Sequence, residues 1–371
     1  MTTGGRAIAE VFSGARLVVC VGTGGVGKTT TSAALALRAA FEGRHVLVLT
    51  IDPARRLAQA MGLESLDNEP RAVDVAALGG TGSLHAMMLD ATTTFDDLIR
   101  RTAGPQAKSI LENRVYRVMA DHLAGVQEYM ALERLYELHS SKKWDLIVLD
   151  TPPSKNALDF FNAPRRVSAM FDERVMRWFL PDNGEGGMLG KLFNPGAVTL
   201  KLLAVMGGKE FVAELAGFFD AIRAVRSSFK ERGDAVERIL REAATRYAAI
   251  ASPDPRRVDE ALDLRRRMAV LRLTIDLVVL NRSHHRFKKS DMTSLRAAFA
   301  ASEATEGDAE LLTRVDNFYA DLIGLSERDR VGVLRLVDRI DKTRIRLVPV
   351  LGLDIHTPPE LLKLSSYLET V

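Results

Sequence analysis

An apolar strand pattern that runs straight into GTGGVGKTT constrains this chain more than any other feature. Residues 18–37 read VVCVGTGGVGKTTTSAALAL. Gly22, Gly27, Lys28 and Thr29 fit G-x-x-x-x-G-K-[ST], a loop whose glycines let the backbone approach phosphates and turn its N–H groups inward. Lys28 would reach the outer phosphates. The Thr29 hydroxyl would offer an oxygen to Mg²⁺, an ion that takes oxygen ligands and keeps several waters. The helix starting near Thr29 aims its N-terminal dipole at the anion. The alternative, a glycine turn with a chance lysine, would lack this context: an apolar strand before the loop, and TTTSAALALRAAFEG after it as a helix closed by Gly43.

Two further glycines, Gly24 and Gly25, place the loop in a subclass that usually reads G-K-G-G-x-G-K-[ST]. Here Thr23 stands where the first lysine would be. The residues expected around the phosphates are Gly24, Gly25, Val26, Gly27, Lys28, Thr29 and Thr30.

Short β-branched runs at 17–21, 46–51, 146–149, 247–251, 277–280 and 345–348 alternate with longer helical patterns. That rhythm reads as buried parallel strands with helical crossovers, an α/β fold. At ~150 residues per domain, 371 residues allow two domains or one large core with an inserted lobe. The second arrangement is expected: a single phosphate-loop NTPase domain over 1–371, with a mostly parallel sheet flanked by helices. Segments 92–141 and 165–244 break the rhythm and read as a helical subdomain. The second contains a Gly/Pro-rich break, LPDNGEGGMLGKLFNPG, and a stripe of Phe211, Leu215, Phe218, Ile222, Val225 and Phe229 on one helix face. The stripe either packs inside the lobe or lines a partner groove.

Ligands of open α/β sheets bind at the carboxyl ends of the strands. Two aspartates stand there. Asp52, in LTIDPARRLA, would orient and polarise a water for in-line attack on a γ-phosphate, or would cap the helix that follows. Asp150, after four apolar residues in DLIVLDTPPSKNAL, stands where a carboxylate holds Mg²⁺ through water. Residues 151–156 then leave the sheet as a candidate switch, ordered by ATP and released on hydrolysis, or as a structural turn.

In this order, GTGGVGKTT, TIDPARRLA and DTPPSKNALDFFNAP resemble the ArsA-type ATPases. That family includes the arsenite-pump ATPase and the ATPase that targets tail-anchored membrane proteins. The resemblance covers 17 to about 164, resumes near LVVLN and IRLVPVLG, and is strongest to the ArsA-like proteins of actinobacteria. It implies ATP and Mg²⁺ as cofactors, hydrolysis of ATP, a dimer with nucleotide near the interface, and a helical lobe whose movement engages a protein partner. By matching position, Asp52 is the catalytic aspartate and Asp150 the magnesium-linked one. Asn281 is the residue that reads adenine, and Pro349 lies in the loop on the adenine's other side. An amide can donate and accept against a base edge; a turn-forming Asn at a strand end is the other reading.

The departures narrow what the resemblance carries. The usual D-P-A-H is Asp52-Pro53-Ala54-Arg55, and the usual T-G-H is Ser154-Lys155-Asn156. One cysteine, Cys20, cannot supply paired zinc ligands or a metalloid site, so no zinc is expected and arsenite-stimulated transport is disfavoured. The family's first loop lysine crosses the dimer; Thr23 cannot. A heterodimer with a paralogous ATPase that keeps that lysine is therefore expected over a homodimer, and the alternative function is a weakly hydrolysing regulatory subunit. A membrane-protein or peptide client is open.

Charge excludes other classes. Fifty-one basic against 48 acidic residues give +3, too balanced for a nucleic-acid partner. The opening MTTGGRAIAEVFSGAR lacks a basic start and an apolar signal core, so a cytoplasmic location is expected, peripheral to a membrane only through a partner. There is no G-x-S-x-G, and the seven histidines form no metal-spaced cluster.

Overall fold

The expected strands are unbroken apolar runs because both of their faces are covered. β1 (Leu17–Gly22), β2 (His45–Thr50), β5 (Leu146–Asp150) and β6 (Thr245–Ala251) are buried along nearly their whole length. With β3 (Arg71–Val73), β4 (Ser83–Met88), β7 (Leu277–Ser283) and β8 (Ile345–Pro349) they form an eight-stranded sheet in the order β3-β4-β2-β5-β1-β6-β7-β8. All neighbours are parallel except β3, which runs antiparallel on β4. In this computed structural model the described residues are 8–52, 56–114, 116–117, 126–151, 157–170, 208, 214–215, 217–218, 226–286, 289–300, 306–352 and 355–369. This is the α/β architecture of a phosphate-loop NTPase.

Alternation along each strand splits the core in two. Val18, Cys20, Val46, Val48, Leu146 and Val148 face one way, under the helices Lys28–Phe41 and Pro358–Glu369. The first of these helices buries Ala33, Ala34, Ala36 and Ala40, small side chains that let it lie close on the sheet. Leu17, Val19, Val21, Leu47, Leu49, Ile147 and Leu149 face the other way.

The described parts of the expected lobe belong to this second core. Ala91–Thr102, Ala107–Glu112, Val126–Ser140, Ala157–Met170 and Arg226–Arg241 are helical. The pattern read as one helical stretch over 92–141 is interrupted at Gly104–Gln106, a single tight turn around Pro105. Phe95, Tyr129, Phe160 and Phe229 from these helices join the same apolar cluster as the sheet face. Buried Glu133 pairs with Arg232, Arg101 with Glu137, and Arg165 with Glu237 at 2.7 Å, tying neighbouring helices by charge. At its described positions the predicted stripe is packed: Leu215, Phe218 and Phe229 are all buried. Phe211, Ile222, Val225 and the Gly/Pro-rich break lie outside the described residues.

The long helix Glu306–Val337 packs along Pro255–Val270, with Arg335 bonded to Asp259 at 2.8 Å. At Gly332 it meets the turn that follows β6, since a Cβ there would overlap the carbonyl oxygen of Pro253. Glycine to alanine inside a helix ordinarily stabilises by up to about 1 kcal/mol. Here the overlap is with backbone, which yields only by moving the helix, so Gly332→Ala is expected to destabilise by about 1–3 kcal/mol. A lowered thermal unfolding midpoint checks this; a raised one would show that the helix is free to shift.

Candidate functional site

The loop 22–29 leaves the carboxyl end of β1 between its two neighbours, β5 and β6. The ladder sets Asp150 directly beside Cys20 on β1 and beside Thr50 on β2. Strand pairing alone therefore brings the loop and both strand-end aspartates to one edge of the sheet.

Asp150 is almost completely buried and is held by hydroxyls. Thr29 Oγ1 donates to its Oδ2 at 2.7 Å, and Thr50 Oγ1 donates to the same oxygen at 3.0 Å. Ser32 Oγ lies 3.5 Å from Oδ1 while bonded to the Lys28 carbonyl at 2.9 Å. Burial pushes the Asp150 carboxyl up to about 6; the Thr29 and Thr50 hydrogen bonds and the Lys28 charge oppose the rise. A hydroxyl oxygen and a carboxylate oxygen 2.7 Å apart are hard donors of the kind Mg²⁺ takes. The site residues thus fit that ion, which would hold the carboxylate ionised.

Lys28 is the first residue of its helix and is 6% exposed. Its Nζ donates to the Thr23 carbonyl at 3.0 Å, spanning the loop. Burial lowers its pKa, and the nearby charges of Asp150 and Asp52 act against that. Thr23 thus contributes a backbone oxygen to the loop. Gly24 and Gly25 are exposed at the loop tip, Val26 is buried, and Thr30 is half-buried on the helix.

Asp52 is half-buried two residues past Thr50, and its N–H donates to Thr50 Oγ1 at 3.2 Å. The Thr50 hydroxyl therefore accepts from one aspartate's backbone and donates to the other's carboxylate. Residues 53–55 and 152–156 lie outside the described residues, so of the candidate switch 151–156 only Thr151 is placed. Its hydroxyl donates to the Cys20 carbonyl at 2.7 Å, continuing the β5–β1 ladder past the strand end. Cys20 itself is fully buried, and burial pushes its thiol up to about 12.

The strand expected to stop before Asn281 runs on to Ser283, with a bulge between Asn281 and Ser283. Asn281 is 7% exposed and turned toward the loop: Nδ2 donates to the Val26 carbonyl at 2.9 Å, and Oδ1 accepts from Arg282 N–H at 3.0 Å. Arg282 holds φ 61°, a left-handed conformation that costs a side-chain-bearing residue about 1 kcal/mol or more. Pro349 ends β8 opposite Ser283, where Val350 N–H donates to the Ser283 carbonyl at 2.9 Å.

Lys28, Thr29, Asp52, Asp150 and Asn281 are thus brought to one strand edge, with Pro349 at its β8 end. Sequence reasoning missed Thr50 and Ser32. Ser32 had a readable signal, since it stands three residues after Thr29 and shares its helix face. Thr50 had none beyond its place at a strand end.

A family model described as anion-transporting ATPase matches residues 15–323. The chain is 27% identical over 221 residues to the ATPase GET3 of Malassezia globosa, which covers 58% of this chain and 59% of that protein. It is 33% identical over 224 residues to the ATPase get3 of Aspergillus terreus, covering 58% and 61%. To the ATPase GET3 of Paracoccidioides lutzii it is 32% identical over 152 residues, covering 40% and 43%. The chain spans about three fifths or less of the length of these curated relatives. Among the described residues, no helix is long and apolar enough to cross a membrane.

Proposed function

The chain belongs to the anion-transporting ATPase family, and from that premise we propose that it is a Mg²⁺-dependent ATPase of the ArsA type. The observation that carries this is the shared hydrogen-bond system of Thr29, Thr50 and Asp150, which joins the phosphate loop to both strand-end aspartates. The loop N–H groups and Lys28 bind the phosphates. Thr29 and Asp150 would hold Mg²⁺, which would neutralise charge that gathers as the γ-phosphoryl leaves. Asp52 orients the attacking water. The water oxygen bonds to the γ-phosphorus, the bond to the ADP oxygen breaks, and the water's proton passes to the Asp52 carboxylate. Asn281 and Pro349 flank the adenine.

The helices within 92–141 and 165–244 form the lobe that moves with the nucleotide state and engages a membrane-protein or peptide client. Support comes from connectivity: β5 ends at Asp150, and the next described helix, Ala157–Met170, packs in the apolar cluster that these helices share. The protein is cytoplasmic in this reading and meets a membrane only through its partner.

Thr23 favours a second reading, a weakly hydrolysing subunit whose site is completed by a paralogue. A lysine at that loop position would cross a dimer and stabilise the partner's transition state. Arg56, exposed at the start of its helix, is near enough for its charge to bear on Lys28 and is the internal substitute to test alongside Arg55. The purified chain is expected to hydrolyse ATP slowly, only with Mg²⁺, and Thr23→Lys, at a concentration where it pairs with a second copy, to raise the rate at least about tenfold, a modest share of what one such group supplies. Steady-state phosphate release checks both. Fast hydrolysis by the isolated chain, unchanged in Thr23→Lys and in Arg55→Ala with Arg56→Ala, removes the second reading. No hydrolysis in any form, even with a lysine-bearing paralogue, removes the first.

A further inference from the structure

The Asn281 amide faces the phosphate loop as well as the proposed base side. Its Nδ2 donates to the Val26 carbonyl at 2.9 Å, from a residue 255 positions away in sequence. Its Oδ1 is held by Arg282 N–H at 3.0 Å, in a bulge where Arg282 takes the left-handed backbone. The fit on the loop side is close: Gly27 sits at φ 87°, and a Cβ there would overlap Asn281 Nδ2. Asn281 is 7% exposed, so the Val26 carbonyl has little water with which to replace this bond. A side chain used only to read a base would need none of these features.

We infer that Asn281 is a positioning residue for the phosphate loop, so that binding of a bare polyphosphate chain depends on it even where no base is present. This rests on the nucleotide-site reading above. The chemistry is that of a brace. The loop must hold its N–H groups inward against their mutual repulsion, and the carbonyl of Val26 lies one residue before the left-handed Gly27 that turns the chain into the helix. Fixing that carbonyl fixes the peptide plane whose N–H belongs to Gly27. An amide has two N–H groups and two lone pairs on its oxygen. One of each is committed to Val26 and Arg282, which leaves one of each for a base edge. The same residue then links base recognition to loop geometry: a purine that pulls on the free pair acts on the loop through a rigid planar group.

The test uses the full chain and Asn281→Asp, which keeps the size and the acceptor for Arg282 N–H but turns a carboxylate oxygen toward the Val26 carbonyl. Asn281→Ser, smaller and neutral, guards against misfolding caused by the added charge. Calorimetry with ATP, ITP and inorganic tripolyphosphate separates the roles, because ITP changes the base edge and tripolyphosphate has no base. Expected is a loss of about tenfold in tripolyphosphate affinity in both variants, the upper range for one neutral hydrogen bond, with at least as large a loss for ATP. Amide exchange should rise over 22–29 in the ligand-free variants and stay unchanged elsewhere; exchange raised throughout would mean general loosening and overturn the assignment. Tripolyphosphate affinity unchanged while ATP affinity falls would also overturn it and leave Asn281 as a base reader alone. If the parent chain binds none of the three ligands, the nucleotide-site reading fails, and this inference with it.

Discussion

An Asp52→Asn protein is expected to bind ATP and to hydrolyse it about 10²- to 10⁴-fold more slowly than the parent, the range for loss of a positioned general base. The substitution is informative because it separates two roles. Asparagine caps a helix as well as aspartate does, so a capping role predicts unchanged turnover. The backbone contact from Asp52 N–H to Thr50 Oγ1 does not involve the carboxylate and survives the change. What is lost is an oxygen able to take up the water's proton. Calorimetry of ATP binding and steady-state phosphate release together decide it. Normal turnover in the variant leaves Asp52 with its capping role alone.

Lys28→Ala is expected to weaken ATP binding at least about tenfold, because a hydrogen bond to a charged group contributes about 1.5–3 kcal/mol. Hydrolysis falls further, since the charge that builds on the transferring phosphoryl loses one of the cations that would neutralise it. Lys28 is enclosed, with its Nζ on the Thr23 carbonyl and the charges of Asp150 and Asp52 nearby. Its removal takes away a charge that holds the Asp150 carboxyl down against burial, so that pKa rises further in the variant. Protons then compete with Mg²⁺ for this carboxylate at higher pH than in the parent, so the Mg²⁺ concentration that half-saturates ATP binding should rise more toward acid pH. ATP affinity equal to the parent's would falsify the assignment of this loop to phosphate.

Most of the sheet was legible because its strands are buried on both faces and read as plain apolar runs. β4 was not. Ser83–Met88 is written SLHAMM, with a histidine and two methionines where β-branched residues would mark a strand. His85 is accommodated by aromatic packing: it lies edge-on to Trp144 at 5.0 Å and to His45 at 5.5 Å, while His45 stacks on Trp144 at 4.4 Å. That environment comes from β2 and from the turn before β5, and local pattern contains no trace of it. Strand order was hidden for the same reason, since β5 slots between β1 and β2 although far from both in sequence. In the candidate site, the motif residues are read from spacing and the strand-end aspartates from position, and the structure sets them along one strand edge. Thr50 and Ser32 are not read so, because a lone hydroxyl residue acquires meaning only from its spatial neighbours. The loop-facing side of Asn281 was invisible too, its partner being the backbone of a distant glycine-rich turn.

The Thr50 hydroxyl has one proton, and in this structure it points to Asp150 while the lone pairs meet the Asp52 N–H. Beyond the β2–β5 ladder, that single atom links the Asp52 backbone to the Asp150 carboxylate. A shift of the Thr50 side chain is therefore felt at both aspartates at once, on the backbone of one and on the carboxylate of the other.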